Sequence, residues 1–291
     1  MKPAPFTYHD PATIDDAVSV LARHENARAL AGGQSLMPMM NFRLAMPEHL
    51  IDLNGVVELA GIRHNGASMT IGAMTRQRDL EFSAAIAADL PIVTEALRHV
   101  GHRQTRNRGT IGGSLCHLDP SAELVNLAAL HDGVMQIASS HGTRETTFNL
   151  FAAGAMTTTL APDELLTAIR LAPWPKPHGY CFTETARRRG DFAIAAVGVL
   201  LTLDGTGAID RAAIAVSGLM PVPVRLTAAE TTLRGQMPGH EAFRAVAADA
   251  ATLDAMEDPY ASAAYRRHLA RILLYRAMET AAQRARQGDA S

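Results

Sequence analysis

The sequence predicts a protein of mixed helices and strands, in an α/β or an α+β arrangement. In the first half of the chain, short apolar runs at residues 27–31, 50–53 and 69–72 fit strands and alternate with stretches of helical periodicity. In the second half, apolar residues 193–203, a Gly-containing turn and apolar residues 209–216 fit a β-hairpin. Both halves are therefore expected to combine sheets with helices.

Capping signals and apolar periodicity mark the helices of the first half. Thr13 is followed three positions later by Asp16, a pattern typical of a helix N-terminus, and the apolar residues after it predict a helix up to about His24. A second helix is predicted to open at Thr75, and a third to cover residues 92–100.

Further helix starts lie in the middle and in the second half of the chain. Asp119 fits an N-cap with Pro120 at the first helical position, and a stripe of leucines follows. Thr227 and Glu230 have the spacing of a capping box, and residues 261–284 have helical periodicity. The second half is thus predicted to be a sheet with helices, and it contains no periodic repeat.

A proline-rich segment at residues 173–179 is predicted to separate two domains. It contains three prolines, which continue neither a helix nor a central strand. We expect a first domain over residues 1–176, with subdomains of about 1–55 and 56–176, and a second domain over residues 177–291.

Composition narrows the classes of function. The 291 residues are 47% hydrophobic and 19% charged, as in a globular protein, and the net charge of −2 is dispersed, which argues against a nucleic-acid partner. No signal peptide or membrane span is recognised, so we expect a cytoplasmic protein. The two cysteines, Cys116 and Cys181, are too few for a Cys-bound metal cluster, and we expect no metal ligands in this chain.

Two glycine-rich clusters are the candidate functional motifs. One covers residues 31–36 and the other residues 109–114, and each contains a Gly-Gly pair followed by a serine. Glycine allows consecutive backbone N–H groups to surround an anion without a Cβ in the way, which suits a diphosphate. Neither cluster fits a Rossmann or a Walker motif. An ordinary tight turn is the alternative for either cluster taken alone.

The chain resembles the FAD-binding medium subunit of the molybdenum hydroxylases, a family that includes carbon monoxide dehydrogenase and bacterial N-heterocycle dehydrogenases. The resemblance rests on the order and spacing of several motifs along essentially the whole chain. These motifs are residues 6–8, 31–36, 71–75, 106–115, 117–123, 187–193 and 264–270.

The resemblance implies an α+β fold, with a two-part FAD-binding domain of the PCMH/VAO type and a smaller C-terminal domain with an antiparallel sheet and helices. It also implies one noncovalent FAD, held through its diphosphate by the two glycine clusters. The residues assigned to this role are Ala31, Gly32, Gly33, Gln34, Ser35, Leu36, Thr110, Ile111, Gly112, Gly113 and Ser114.

Three further FAD contacts are implied by position in the family motifs. Asp119 would serve the ribose or adenine, although a role as a helix N-cap accounts for it equally well. Leu165 would flank the flavin ring, although an apolar Leu-Leu pair is as often ordinary core. Phe192 stands where relatives commonly place a tyrosine against the isoalloxazine, and it keeps the aromatic face while losing the hydroxyl.

The implied function is that of an electron-transfer subunit with no catalytic residue of its own. A molybdenum cofactor in a large subunit and [2Fe–2S] clusters in a small subunit would supply electrons to FAD, in a heterotrimer or a dimer of heterotrimers. FAD would then pass the electrons to an external acceptor. The alternatives are a stand-alone flavin oxidoreductase and a flavin-free scaffold subunit.

Overall fold

The computed structural model describes residues 1–288, and the chain folds into two compact units. The first unit combines Met1–Leu80, His102–Leu118 and Asp132–Ala172. The second combines Glu81–Gly101, Asp119–His131 and the part of the chain from Pro173 onward.

The helices and strands below are numbered in chain order. The strands are β1 (Thr7–His9), β2 (Ala27–Leu30), β3 (His49–Asp52), β4 (Ile62–Asn65), β5 (Ser68–Gly72), β6 (Val134–Ser139), β7 (Gly142–Thr147), β8 (Ala152–Gly154), β9 (Thr157–Thr158), β10 (Leu165–Leu171), β11 (Gly179–Thr185), β12 (Ala195–Leu203), β13 (Ile209–Ser217) and β14 (Val224–Arg225). The helices are α1 (Ile14–Arg23), α2 (Leu36–Asn41), α3 (Gln77–Glu81), α4 (Ala84–Asp89), α5 (Pro91–Leu97), α6 (Arg103–Arg108), α7 (Ile111–His117), α8 (Glu123–Leu130), α9 (Phe148–Phe151), α10 (Thr227–Leu233), α11 (His240–Asp249) and α12 (Ala263–Gly288).

The first unit begins with a small parallel sheet in the order β1-β3-β2. Helix α1 connects the two outer strands and packs its apolar face, including Ala17 and Leu21, against Ile51 of the central strand. Thr13 caps this helix as predicted, because its hydroxyl accepts a hydrogen bond from the N–H of Asp16 at 3.1 Å. The strand that the sequence predicts at residues 27–31 is β2, and it leads directly into the first glycine cluster.

The first unit continues with an antiparallel sheet in the order β4-β5-β10-β6-β7. The predicted strand at residues 69–72 is β5, and β10 pairs with it through Ile169 and Ile71. Both isoleucines are buried, so the apolar alternation that predicts the strand also forms the core.

The second unit is built on the antiparallel sheet β11-β12-β13-β14, in which β12 and β13 form the predicted hairpin. One face of β12, including Val197 and Val199, packs against the long helix α12. Gly198 points to the other face, where a Cβ would lie 2.7 Å from Oδ1 of Asn126 in α8. Helices therefore cover both faces of β12, which explains why its sequence is apolar without alternation. The predicted α+β class and the C-terminal antiparallel sheet are confirmed.

Two predicted helix caps are wrong in detail. Asp119 does not cap α8, which begins four residues later; its Oδ1 accepts from the N–H of Ser121 at 2.8 Å in a local turn. Thr227 is already inside α10, and Glu230 accepts from the N–H of Ile214 at 2.8 Å instead of closing a capping box. The carboxylate of Asp119 thus accepts a hydrogen bond within a local turn, and that of Glu230 accepts one from a distant strand, so neither caps a helix.

Two boundaries also differ from the sequence-based expectation. Helix α5 ends at Leu97, three residues before the predicted end, and the helix expected to open at Thr75 starts at Gln77. The C-terminal helix is confirmed as α12. Within residues 1–288, no helix combines the length and the apolar character needed to cross a membrane.

Candidate FAD-binding site

The first glycine cluster is a turn whose backbone donors are left free by the protein. It connects β2 to α2, and Gly33 makes the turn with a φ of 71°, in the left-handed region that glycine enters without strain. The N–H groups of the five residues from Gly32 to Leu36 donate to no acceptor within residues 1–288. The hydroxyl of Ser35 forms no cap hydrogen bond either. This run of free donors is suited to binding an anion.

The second glycine cluster differs, because the protein uses its N–H groups. Helix α7 begins here, and its first turn is bound to neighbouring backbone and to its own N-cap. The hydrogen bonds are Ile111 N–H to Thr75 O (3.1 Å), Gly112 N–H to Ala73 O (2.8 Å), Gly113 N–H to Thr110 Oγ1 (3.0 Å) and Ser114 N–H to Thr110 O (3.1 Å). The second cluster therefore offers no run of consecutive free N–H groups like that of the first. Among the described residues, it leaves free the N–H of Thr110 and the hydroxyl of Ser114.

Close packing explains the glycines of the second cluster. A Cβ at Gly112 would lie 2.5 Å from Cβ of Ala73, and a Cβ at Gly113 would lie 2.9 Å from Oγ1 of Thr110. The space that either Cβ would occupy is therefore filled by protein atoms and is not open to a ligand. The fold of the first unit thus requires glycine at these two positions. Gly113 also lies against Ala31 of the first cluster.

The two clusters contact each other, as the sequence analysis predicts for a shared site. A Cβ at Gly32 would overlap the carbonyl oxygen of Arg108, and the position of a Cβ at Gly113 lies 3.3 Å from Cβ of Ala31. The absence of a side chain at Gly32 lets the first loop lie directly on the backbone that enters the second cluster.

A polar bridge that the sequence analysis missed holds the two clusters together. Nδ2 of Asn54 donates to the carbonyl oxygen of Ala31 at 3.1 Å, and the guanidinium of Arg76 donates to Oδ1 of Asn54 and to the carbonyl oxygen of Arg108. Asn54 also donates to Asp52. No local motif marks these residues, because they are separated in sequence and meet only through the strands β3 and β5 that precede them.

The electrostatics around the bridge favour an anion. Burial and the positive charge of Arg108 lower the pKa of Arg76, and they outweigh the opposite effect of the carboxylates Asp79 and Asp52. The Arg76 guanidinium is therefore in an environment where a further negative charge would stabilise it. An anion bound by the free N–H groups of the first loop would supply that charge.

The remaining predicted contacts belong to other elements of the chain. Leu165 is in β10 of the first unit, where its side chain is 4% exposed and packs in the core with residues of α1. Asp119 and Phe192 belong to the second unit, and the side chain of Phe192 is 70% exposed. The structure thus brings together residues 31–36 and 110–114, and the role of Leu165 beside the flavin ring stays a prediction.

Neither cysteine has the properties of a covalent flavin attachment point. Burial raises the pKa of the Cys116 thiol to about 12, and burial is also the main cause that raises the pKa of Cys181 to about 11. Both thiols are therefore protonated at neutral pH, whereas the thiolate is the nucleophilic form.

Comparison with known protein families indicates that the chain is a flavoprotein. The family described as the FAD-binding domain in molybdopterin dehydrogenase matches residues 4–175, and the family described as the CO dehydrogenase flavoprotein C-terminal domain matches residues 180–281. The fold and the site thus define an FAD-binding oxidoreductase subunit of two domains.

Individual relatives match over nearly the full length. The carbon monoxide dehydrogenase medium chain of Afipia carboxidovorans is 38% identical, with 98% of this chain and 100% of the relative covered. The 6-hydroxypseudooxynicotine dehydrogenase complex subunit alpha of Paenarthrobacter nicotinovorans is 36% identical, with 98% of this chain and 97% of the relative covered.

A solved structure also matches over nearly the full length of the chain. It is the carbon monoxide dehydrogenase of Hydrogenophaga pseudoflava that lacks the Mo-pyranopterin moiety of the molybdenum cofactor. Its matching chain has a TM-score of 0.94 and 35% identity, with 98% of this chain and 99% of that chain covered. The chain belongs to the family of FAD-binding medium subunits of molybdopterin dehydrogenases, and the predicted family and FAD-binding domain are confirmed.

Proposed function

We propose that this chain binds one FAD noncovalently and carries electrons from iron–sulfur clusters of a partner subunit to an external acceptor. The observation that supports the location of FAD is the run of free N–H groups from Gly32 to Leu36, next to the positive charge of Arg76 and Arg108. A diphosphate is an anion with several acceptor oxygens, so it fits such a run of donors.

In this proposal the two clusters have different roles. Gly32 to Leu36 bind the diphosphate through N–H groups, and the hydroxyls of Ser35 and Ser114 are further donors to it. Thr110, Gly112 and Gly113 position the first loop by packing and by backbone hydrogen bonds. The roles suggested for Asp119 with the ribose or adenine and for Phe192 with the isoalloxazine stay predictions.

The chemistry that FAD supplies when bound is the acceptance of two electrons and their release to another carrier. Residues of the chain hold FAD, and the protonated thiols of Cys116 and Cys181 argue against a covalent link through cysteine. The relatives are called a medium chain and a complex subunit, which supports assembly of this chain with a large molybdenum subunit and a small [2Fe–2S] subunit as a heterotrimer.

Titration of FAD into the purified chain tests the first part of the proposal. We expect one FAD per chain, released into the supernatant by acid precipitation, and reduced by dithionite. Flavin that stays with the precipitate would contradict noncovalent binding, and a chain that binds no FAD would be a scaffold subunit.

Substrate oxidation tests the second part. The isolated FAD-loaded chain is expected to oxidise neither carbon monoxide nor 6-hydroxypseudooxynicotine, the substrates after which those two relatives are named. Turnover of an organic substrate by the chain alone would instead identify a stand-alone flavin oxidoreductase. Activity that returns only with both partner chains supports the electron-transfer function.

A further inference from the structure

Three histidine side chains of the first unit meet on one face of the small parallel sheet. His9, His24 and His49 each offer a ring nitrogen, and these nitrogens all lie within 4.8 Å of one another. Nε2 of His9 is 3.0 Å from Nδ1 of His49, and the rings of His24 and His49 have centroids 3.9 Å apart. All three side chains are half-buried, so the cluster is open to solvent on one side.

The fold accounts for this meeting. His49 is the first residue of the central strand β3, and side chains two positions apart share a face, so it lies on the same face as Ile51. Helix α1 covers that face, and its C-cap residue is His24. His9 ends the neighbouring strand β1, whose register pairs it with Ile51. Three separate elements thus deliver one imidazole each to the same point.

The separations suit a metal ion better than an ordinary surface cluster. Zn²⁺ binds imidazole nitrogen at about 2.0–2.1 Å in a tetrahedron, which places any two ligand nitrogens about 3.3 Å apart. The pair formed by His9 and His49 is already close to that separation, at 3.0 Å. No pair needs to close by more than about 1.5 Å, because all the ligand nitrogens lie within 4.8 Å of one another. Coordination of one ion by both His24 and His49 would require their stacked rings to turn apart, and the partial exposure of the rings leaves room for this.

The neighbouring charges favour a cation. Each histidine is adjacent in sequence to an acidic residue: Asp10 follows His9, Glu25 follows His24, and Glu48 precedes His49. The basic neighbour is Arg23, which precedes His24, so acidic neighbours outnumber basic ones. All three acids are exposed. Their negative charge attracts a divalent ion to the cluster and offsets part of its charge once it is bound.

We propose that His9, His24 and His49 form a binding site for a divalent transition-metal ion of the Zn²⁺ type, with water at the fourth position. Imidazole ligands suit Zn²⁺, Ni²⁺ and Cu²⁺ and not Mg²⁺ or Ca²⁺. The ion would connect the end of β1, the end of α1 and the start of β3. It would therefore stabilise the sheet whose strand β2 leads into the first glycine loop.

Calorimetric titration of Zn²⁺ into the chelator-treated, full-length chain without an affinity tag tests the site. One equivalent is expected to bind, and His24→Ala and His49→Ala are each expected to weaken binding on the order of tenfold or more. His141→Ala is the matched control, because His141 is exposed in the β6–β7 turn of the same unit and lies outside the cluster. Loss of binding in the control as well, or stoichiometric binding unaffected by either cluster variant, would overturn the proposal.

Co²⁺ provides a second measurement that does not depend on a variant folding correctly. Co²⁺ in a four-coordinate imidazole site gives intense visible absorption, whereas six-coordinate Co²⁺ is nearly colourless. We expect that absorption in the wild-type chain, and we expect equimolar Zn²⁺ to abolish it while FAD binding is unchanged. A Co²⁺ spectrum of the six-coordinate type, or no Zn²⁺-dependent rise in the wild-type melting temperature, would also refute the site.

Discussion

Replacing Gly33 by alanine separates backbone strain from FAD binding. Gly33 and Gly66 both have left-handed backbone angles, with φ of 71° and 62°. A Cβ at Gly66 would meet nothing within 4 Å, and a Cβ at Gly33 would meet only movable side chains, with Cγ of Met37 at 3.1 Å. Gly33→Ala and Gly66→Ala therefore introduce similar strain, but only Gly33 lies in the loop of free N–H groups.

The expected magnitudes follow from that strain. Alanine in the left-handed region costs about 1–2 kcal/mol relative to glycine. Gly66→Ala is expected to lose about that much free energy of unfolding, whereas Gly33→Ala keeps most of its stability where the FAD-free loop relaxes. If the free loop relaxes in Gly33→Ala, FAD must restore the turn in order to bind. The same energy then appears as an increase in the dissociation constant of about 5- to 30-fold. Gly66→Ala is expected to bind FAD as wild type does.

Two measurements on each variant are sufficient. Urea unfolding gives the change in stability, and quenching of flavin fluorescence gives the affinity for FAD. Wild-type affinity in Gly33→Ala, or an equal loss of affinity in Gly66→Ala, would show that the free N–H groups of the first loop are not the diphosphate site.

Other residues give independent predictions. Asn54→Ala removes the bridge between the glycine clusters and is expected to cost about 1–3 kcal/mol of stability and to weaken FAD binding, measured by the same assays. Arg170 holds the pKa of Glu145 at about 2, below its ordinary value of 4.5. This stabilisation is present above pH 4.5 and is lost as the pH falls toward 2, so melting temperatures of Glu145→Gln should depend less on pH in that range. Cys116 and Cys181 should resist iodoacetamide in the native protein and react on unfolding, as followed by mass spectrometry.

Much of the fold follows from local patterns in the sequence. The helix capped by Thr13, the hairpin of β12 and β13 and the long helix α12 were predictable because periodicity and capping act within a few residues. The caps at Asp119 and Thr227 were not, because the side-chain oxygens of Asp119 and Glu230 have other partners. For Glu230 that partner is a strand 16 residues away, which no local pattern indicates.

The candidate site was predictable only in part. The glycine clusters mark the two loops, but their sequences are nearly alike and do not show that the protein uses the N–H groups of one loop and not of the other. That difference comes from the pairing of residues 73–77 with residues 109–112, which is tertiary. A larger residue at Gly112 would consequently disturb packing on Ala73 before it disturbed FAD binding.

The histidine cluster lay beyond any pattern of spacing. His9, His24 and His49 are 15 and 25 residues apart in the sequence, far from the short spacings by which metal sites are recognised. The sheet order β1-β3-β2 brings them together, and that order is not evident until the crossover through α1 is known. The expectation of no metal ligands in this chain rested on the two cysteines and on the absence of clustered ligands in the sequence, and it gave no site to the histidines.

The central claim is that electrons leave the complex through FAD on this chain, and rapid mixing of the assembled complex with its substrate tests it most directly. Two preparations are compared, one with FAD-loaded chain and one reassembled with chain stripped of FAD. We expect substrate to bleach the iron–sulfur absorption in both preparations, and the external acceptor to be reduced only when FAD is present. Reduction of the acceptor at the full rate without FAD would contradict the claim.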